Sequence, residues 1–355
     1  MKPITESLFE NNNNAGGKIY TNCSYAPPEV FAAAGYSLIR SWPGDVSQNF
    51  PDLLPTDFCP YSKAFLADNL SEESFKIVTT SCDAMRRIKD ILGPEALLLE
   101  VPRVKKNSRV DFYYKQLRKI IEKLGIDPES NIYRSNLVTE IKKYNYWRQQ
   151  LQALMKEIIN SPHYSIMALV KAVFKYTSQD FKGLKSFIGS SGMKPLGKSG
   201  TGGIEKKDEL NPRLLIISTC LLDGSIASLV EEIGFKVVGL DSCLGERSFN
   251  VHVSEKGDPL KSLARSYLYK PTCPRTMDMT ARLEEVKKLV EDREPDGLIY
   301  FVPKFCDQAS YDFRLIKDCA NDYGIRVLFL DGEYGSGESG QVRTRVAAFR
   351  ESFIL

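Results

Sequence analysis

Short apolar runs rich in β-branched residues, each followed by an amphipathic stretch, constrain this chain more than any other feature. "FKIVTTS" and "ALLLEVP" lie in its first third, and "RLLIISTC", "FKVVGLDSC", "DGLIYFVPKFC" and "IRVLFLDGEY" beyond residue 210. Runs this uniformly apolar read as strands buried on both faces, as in a parallel sheet. The stretches between them read as helices: "PPEVFAAAG", with proline in its first turn and glycine at its end, then "CDAMRRIKDIL", "GSIASLVEEIG", "TARLEEVKKLVED" and "YDFRLIKDCANDYG". Such alternation predicts a sheet covered on both faces by helices.

The pattern divides the chain. A flexible N-terminus (1–17) precedes a first α/β domain (18–107), a helical segment (108–190), a Gly-rich linker (191–210) and a second α/β domain (211–355). The helical segment carries apolar residues at three-to-four spacing, and the aromatic "YNYWRQQ" within it reads as packing. "KIYTNCSYAPPEVFAAAGYSLI" and "LLIISTCLLDGSIASLVEEIGFKVV" share the order strand, cysteine, helix, glycine, strand. The expected fold is therefore α/β, with two similar Rossmann-like (flavodoxin-like) parallel-sheet domains and a helical segment in the middle.

Composition excludes some classes. The 355 residues are 43% hydrophobic, enough for well-buried cores, and 48 basic against 45 acidic residues leave a net charge of +3. With no long basic run, nucleic acid is not an expected partner. No stretch is long and apolar enough for a membrane span, and "MKPITESLFENNNNAGG" lacks the apolar core of a signal peptide, so a cytoplasmic protein is expected. The two histidines, His163 in "SPHY" and His252 in "NVHV", read as structural, which leaves little for histidine-centred chemistry.

"GMKPLGKS", residues 192–199, fits the letters of a phosphate-binding loop. A working loop needs a strand before it and a helix after it, so that backbone N–H groups and the helix start cradle the phosphates. Here a helical stretch precedes it, "GTGG" and a charged segment follow it, and Pro195 removes one donor. The segment reads as a linker, not an ATPase site.

The eight cysteines are more informative. In a reducing compartment they are not expected to form structural disulfides. Cys23, Cys82, Cys243 and Cys306 each follow an expected strand at its C-terminal end, where open α/β sheets bind their ligands. Cys59 in "DFCPYSK" and Cys273 in "PTCPRT" sit in loops before proline. Each α/β region thus offers three cysteines on three loops: Cys23, Cys59 and Cys82, then Cys243, Cys273 and Cys306. Their wide spacing is unlike the close pairs of a zinc ribbon. Thiolates without histidine suit a soft site, with an iron–sulfur cluster the natural candidate and buried, incidental cysteine the alternative. Cys319 reads as helix core. Cys220 holds in the second region the place of Cys23 in the first; under strict pseudo-symmetry it, and not Cys273, is the ligand.

The motifs "NCSYAPPEVFAAAG", "DFCPYSKAFL", "TTSCDAM", "DSCLGERSF", "YKPTCPRT", "DGLIYFVPKFCD" and "GQVRTRVAAF" together resemble the 2-hydroxyacyl-CoA dehydratase and benzoyl-CoA reductase family, the group of the 2-hydroxyglutaryl-CoA dehydratase D-component. The resemblance covers about residues 18–100 and 211–353. It implies an iron–sulfur cluster held between two α/β domains. Cysteine at all six positions, Cys23, Cys59, Cys82, Cys243, Cys273 and Cys306, is similar to the double-cubane cluster proteins of that family, which implies an [8Fe–9S] double cubane on those six ligands. A single [4Fe–4S] cluster, as in the dehydratase subunits, is the alternative, and "KFCDQASYDF" is closer to their wording. The resemblance further implies electrons delivered by a separate ATP-hydrolysing iron–sulfur activator, so that this chain needs no phosphate-binding loop of its own. The expected assembly is a homodimer, or a heterodimer with a related subunit.

Three functions follow from the resemblance: a low-potential reductase component acting on a small substrate, a subunit of a 2-hydroxyacyl-CoA dehydratase, and a non-catalytic cluster carrier. No catalytic acid or base is assigned. Glu29 reads as a first-turn helix stabiliser, with acid catalysis the alternative. Arg343 and Arg345 face either the cluster, an anionic substrate or solvent, and Glu246 and Arg247 stay open.

Overall fold

The computed structural model describes residues 17–42, 53–70, 75–161, 164–189 and 211–354. The N-terminus read as flexible, His163 and the "GMKPLGKS" segment with its linker lie outside the described residues, Gly17 apart.

The first sheet contains β1 (Lys18–Thr21), β2 (Ser37–Arg40), β3 (Phe75–Thr79) and β4 (Ala96–Leu99), all parallel, in the order β2-β1-β3-β4. The second contains β5 (Arg213–Ser218), β6 (Lys236–Asp241), β7 (Gly297–Pro303) and β8 (Arg326–Gly332), also parallel, in the order β6-β5-β7-β8. The two orders are the same, so the repeat read faintly in the residues is a repeat of topology. The architecture is the expected α/β one, with both sheets of the Rossmann-like kind. All seven residues of the apolar β7 and all six of β6 are buried, the charged ends Lys236 and Asp241 of β6 included.

Twelve helices of the described residues surround the sheets. The first sheet carries α1 (Pro28–Ala33), α2 (Pro60–Leu70) and α3 (Asp83–Leu92). The middle consists of α4 (Asn107–Lys123), α5 (Asn131–Asn160), α6 (Ile166–Thr177) and α7 (Phe181–Gly189), the second sheet carries α8 (Ser225–Glu232), α10 (Met279–Arg293), α11 (Asp307–Asp322) and α12 (Gly340–Glu351), and α9 (Pro259–Tyr269) packs against α4 and α5 in the core of the first half. Helix starts are capped as side-chain chemistry predicts: Ser130 Oγ accepts from the Tyr133 amide and Asp258 Oδ1 from the Lys261 amide. The aromatic stretch of α5 is packing, as read: Trp147 stacks on Phe181 with centroids 5.6 Å apart, and both are buried.

One hydrophobic core runs through both halves, joining Val78 and Met85 of the first half, Trp147 and Leu169 of the middle, and Leu214 and Leu240 of the second. Each such fully buried aliphatic or aromatic side chain contributes roughly 1.5–3 kcal/mol. A second joint is ionic. Arg148 of α5 donates to Glu29 of α1, to the Tyr267 hydroxyl of α9 at 2.6 Å and to the Tyr176 hydroxyl of α6 at 3.0 Å, and Tyr267 donates to Glu29 at 2.8 Å. Glu29 is fully buried. Glu29, read in the sequence as a first-turn helix stabiliser, does lie in the first turn of α1, and there it neutralises a buried arginine that ties four helices together.

Candidate functional site

Parallel sheets leave a crevice beyond the C-terminal ends of their strands, and here the crevices of the two sheets share one cavity. Cys23 follows β1, Cys82 follows β3, Cys220 follows β5, Cys243 follows β6 and Cys306 follows β7, each within three residues of the strand end. Cys59 precedes α2, and Cys273 lies between α9 and α10. All seven line a cavity of about 100 Å³, together with Arg40, Arg275, Thr219 and Gln308. A single water needs only about 10–15 Å³ on the same measure. No disulfide forms among the cysteines. All six cysteines singled out in the sequence are therefore brought together. The choice posed between Cys220 and Cys273 does not arise in the placement, because both are on the wall. Cys319 is buried on α11, away from the cavity, as read.

Three of the thiols sit at helix starts, whose amides the sequence reading expected near the cysteines. The carbonyls of Cys59, Cys82 and Cys306 accept the first helical bonds of α2, α3 and α11, from Lys63, Arg86 and Ser310 at 3.0, 3.3 and 3.1 Å. Each cysteine is thus the N-cap residue of its helix. Amides of the first turn point at the sulfurs: those of Tyr61 and Ser62 at Cys59, of Met85 at Cys82 and of Ala309 at Cys306. The Thr219 hydroxyl lies 3.7 Å from Cys306 Sγ. Burial nevertheless pushes the Cys82 thiol up to about 11 and the Cys306 thiol up to about 12, and raises Cys59. "DFCPYSK" held the signal, since a proline after cysteine at the first helical position marks a helix start.

Cys23, Cys243 and Cys273 stand in turns beside buried cations. Arg40 Nη1 donates to the Cys243 carbonyl at 3.0 Å. Lys270 Nζ donates to Ser24 Oγ at 2.7 Å, to the Ser24 carbonyl at 2.9 Å and to the Arg247 carbonyl at 3.3 Å. Arg275 donates to the carbonyls of Val101 and Pro102 at 2.9–3.0 Å. Lys270 and Arg275 lie over the ring of Tyr25 at 4.4 and 4.5 Å from its centroid. Burial pushes the Cys243 thiol up, but Arg40, Arg247 and Lys270 outweigh it and bring it down to about 7. Burial, helped by the neighbouring Cys243 and Cys23, keeps Cys273 raised against Arg275 and Arg247. Burial also pulls the Lys270 ammonium down to about 8. Cys220 stands between the two sets: burial pushes it up to about 12, with Arg40 pulling it down and Cys243 and Cys59 adding to the rise.

The loop after β6 reaches this position because Gly245 has no side chain: a Cβ there would lie 2.4 Å from the Leu240 carbonyl oxygen. Beside Cys306, Phe305 has φ +60°, a left-handed conformation that costs a non-glycine residue about 1–3 kcal/mol.

The residues left open now have places. Glu246 Oε1 accepts from the Leu240 amide at 3.1 Å, and Arg293 pairs with its other oxygen at 3.0 Å. Arg247 pairs with Asp241 at 3.0 Å, and Asp241 also meets Arg282, which pairs in turn with Asp312. Arg343 pairs with Glu232 at 3.0 Å on an exposed face, and Arg345 donates to the Phe329 carbonyl at 2.6 Å. Neither arginine lines the cavity. His252 is exposed.

Among the described residues, no three His, Cys, Asp or Glu side chains converge on one metal ion. A polynuclear cluster asks for something else: separate thiolates around its faces, one to an iron. Thiols ringing a roomy cavity meet that demand. So does the polar lining, because the Nε–H groups of Arg40 and Arg275 are buried without a hydrogen-bond partner among the described residues. Orphaned cationic donors beside thiols fit an anionic occupant rich in sulfur acceptors.

Comparison with known proteins gives the family. The family model described as 2-hydroxyglutaryl-CoA dehydratase, D-component, matches residues 23–353. The (R)-phenyllactyl-CoA dehydratase beta subunit of Clostridium sporogenes is 21% identical over 339 residues, 92% of this chain and 89% of that protein. A candidate dehydratase subunit, YjiM, of Escherichia coli (strain K12) is 29% identical over 152 residues, 41% of this chain and 39% of that protein. One of the subunits of the benzoyl-CoA reductase of Thauera aromatica is 22% identical over 129 residues, 36% of this chain and 33% of that protein. The matched segments thus span well under two thirds of the last two relatives.

Proposed function

This chain belongs to the 2-hydroxyglutaryl-CoA dehydratase D-component family, and on that premise we propose that it is the low-potential reductase component of a two-protein system. In this reading Cys23, Cys59, Cys82, Cys243, Cys273 and Cys306 hold a double-cubane [8Fe–9S] cluster. A separate ATP-hydrolysing iron–sulfur activator delivers the electrons, and the final acceptor is a small substrate. The observation that carries the reading is the convergence of all six cysteines on one cavity, drawn from both halves of the chain.

When bound, the cluster supplies one-electron chemistry at low potential. The chain's own residues do the rest. Six thiolates anchor it, the helix starts at Cys59, Cys82 and Cys306 turn amides toward those sulfurs, and Arg40 and Arg275 add charge at the other end. The shared core and the Arg148–Glu29 joint hold the two halves of the wall in register. Among the described residues no helix is long and apolar enough to cross a membrane. The proposed site of action is the cytoplasm, and the proposed assembly is a homodimer or a heterodimer with a related subunit.

A second reading has an observation of its own. The relative that spans 92% of this chain is a dehydratase beta subunit, which favours a single [4Fe–4S] cluster in a subunit that acts on a 2-hydroxyacyl-CoA. Iron and acid-labile sulfide per chain, after strictly anaerobic purification, separate the two. About eight irons in wild type, lost with Cys273→Ala and kept with Cys220→Ala, are expected for the double cubane. About four, indifferent to Cys273→Ala, give the dehydratase subunit. Iron without reductase or dehydratase activity when an activator is supplied leaves a cluster carrier, and absence of iron overturns all three.

A further inference from the structure

The buried cations of this molecule fall into two kinds. Arg148 is balanced by Glu29, and Arg247 and Arg282 by Asp241 and Asp312. Arg40, Lys270 and Arg275 are only 6, 4 and 5% exposed, and among the described residues no carboxylate pairs with any of them. Their hydrogen bonds go to backbone carbonyls, to Ser24 Oγ and, from Arg40, to the Tyr61 hydroxyl and the Cys243 thiol. A buried cation without a counter-charge is costly, so three together demand an anion nearby. All three lie on one side. Lys270 and Arg275 flank Cys273 in the chain, Lys270 bonds to the residue after Cys23, and Arg40 bonds to the backbone of Cys243.

The opposite side of the cavity has helix starts where this side has cations. A helix N-terminus carries roughly half an elementary charge, spread over its first amides. Each cation carries a full one, and all three are buried where screening is weak. Lys63, the cation that acts on Cys59, donates to the Thr56 carbonyl on the exposed side. The cation side therefore has the more positive potential.

We infer that Arg40, Lys270 and Arg275 fix where an added electron resides: on the part of the bound cluster held by Cys23, Cys243 and Cys273, and not on the part held by Cys59, Cys82 and Cys306. The inference rests on the proposed cluster. The step is a bare electron transfer. An external one-electron reductant such as titanium(III) gives up one electron and becomes titanium(IV), no bond forms or breaks, no proton moves, and the occupant gains one negative charge. The three cations are positioning residues for that charge.

The test is a redox titration with titanium(III) citrate, followed by electron paramagnetic resonance, on iron-loaded wild type, Arg40→Gln, Arg40→Lys and Gln308→Lys. Gln308 lines the cavity on the Cys306 side and bonds to the Ser81 carbonyl at 3.0 Å, so Gln308→Lys keeps a donor there and adds a charge. Arg40→Gln is expected to keep its iron and lower the equilibrium constant for the first reduction about tenfold, a shift of about 59 mV to lower potential. Arg40→Lys restores most of it. Gln308→Lys moves the midpoint upward by less, and also serves if Arg40→Gln does not fold. In iron-loaded ligand variants the reduced-state spectrum changes with Cys243→Ser and not with Cys306→Ser. Full iron with unmoved midpoints, or a spectrum that follows Cys306→Ser alone, overturns the inference and leaves the cluster standing. Wild type without iron overturns the proposed function, and the inference with it.

Discussion

Two groups of three cysteines face each other across one cavity, and the chain surrounds them by different means. Cys59, Cys82 and Cys306 cap three helices, so their positions are set by regular backbone and their sulfurs meet first-turn amides. Cys23, Cys243 and Cys273 lie in turns, and their surroundings are set by long basic side chains from other segments. The difference teaches that one cavity can be electropositive in two ways. Helix starts are local and follow from where a strand ends and a helix begins. Buried cations must be carried in by tertiary packing, and they stay costly until something negative arrives.

The comparison breaks most visibly in the metal-free chain. Arg148→Ala leaves Glu29 buried and unpaired, so chemical denaturation should show a loss of about 3–5 kcal/mol. Arg40→Gln removes a buried charge that has no partner carboxylate, and its unfolding free energy should stay within about 0.5 kcal/mol of wild type or rise. A loss from Arg40→Gln as large as from Arg148→Ala would show that Arg40 is balanced after all. A smaller effect sharpens the contrast between the thiols. Cys243, brought down to about 7 from the ordinary 9.0, becomes a thiolate as pH rises through 7, whereas Cys82 and Cys306 do so only near 11 and 12. Iodoacetamide should therefore modify Cys243 first in the metal-free chain, half-maximally near pH 7, and Arg40→Gln should move that midpoint upward. Equal rates at all three cysteines would erase the distinction. The smallest effect is the control: Arg343→Ala removes an exposed pair with Glu232, and the stability should change by no more than about 0.5 kcal/mol.

Much of this is legible in the residues. The apolar runs announce both sheets, and "TTSCDAM", "DSCLGERSF" and "FVPKFCD" place thiols at strand ends because an open α/β sheet leaves its crevice there. Two helices, α2 and α9, escape the reading: the residues of α2 stand out first as the motif "DFCPYSKAFL", and α9 lies in a segment read only for "YKPTCPRT" at its end. The cations escape it for a physical reason. Arg40 closes the short strand "SLIR", and Lys270 and Arg275 flank "PTC"; in a linear reading a basic residue at a strand end or in a loop is a solvent contact. Only packing of the second half against the first buries them. The partner of Glu29 escapes likewise, since Arg148 lies 119 residues away.

Neither group of thiols belongs to one half of the chain. Cys59 and Cys82 wait for Cys306, and Cys23 waits for Cys243 and Cys273. A ribosome that has finished the first sheet has released no complete set, and the last member, Cys306, emerges only after β7. On the proposed reading, iron loading waits until Cys306 has been made: a shorter chain offers scattered thiols, and only the assembled cavity offers a mould.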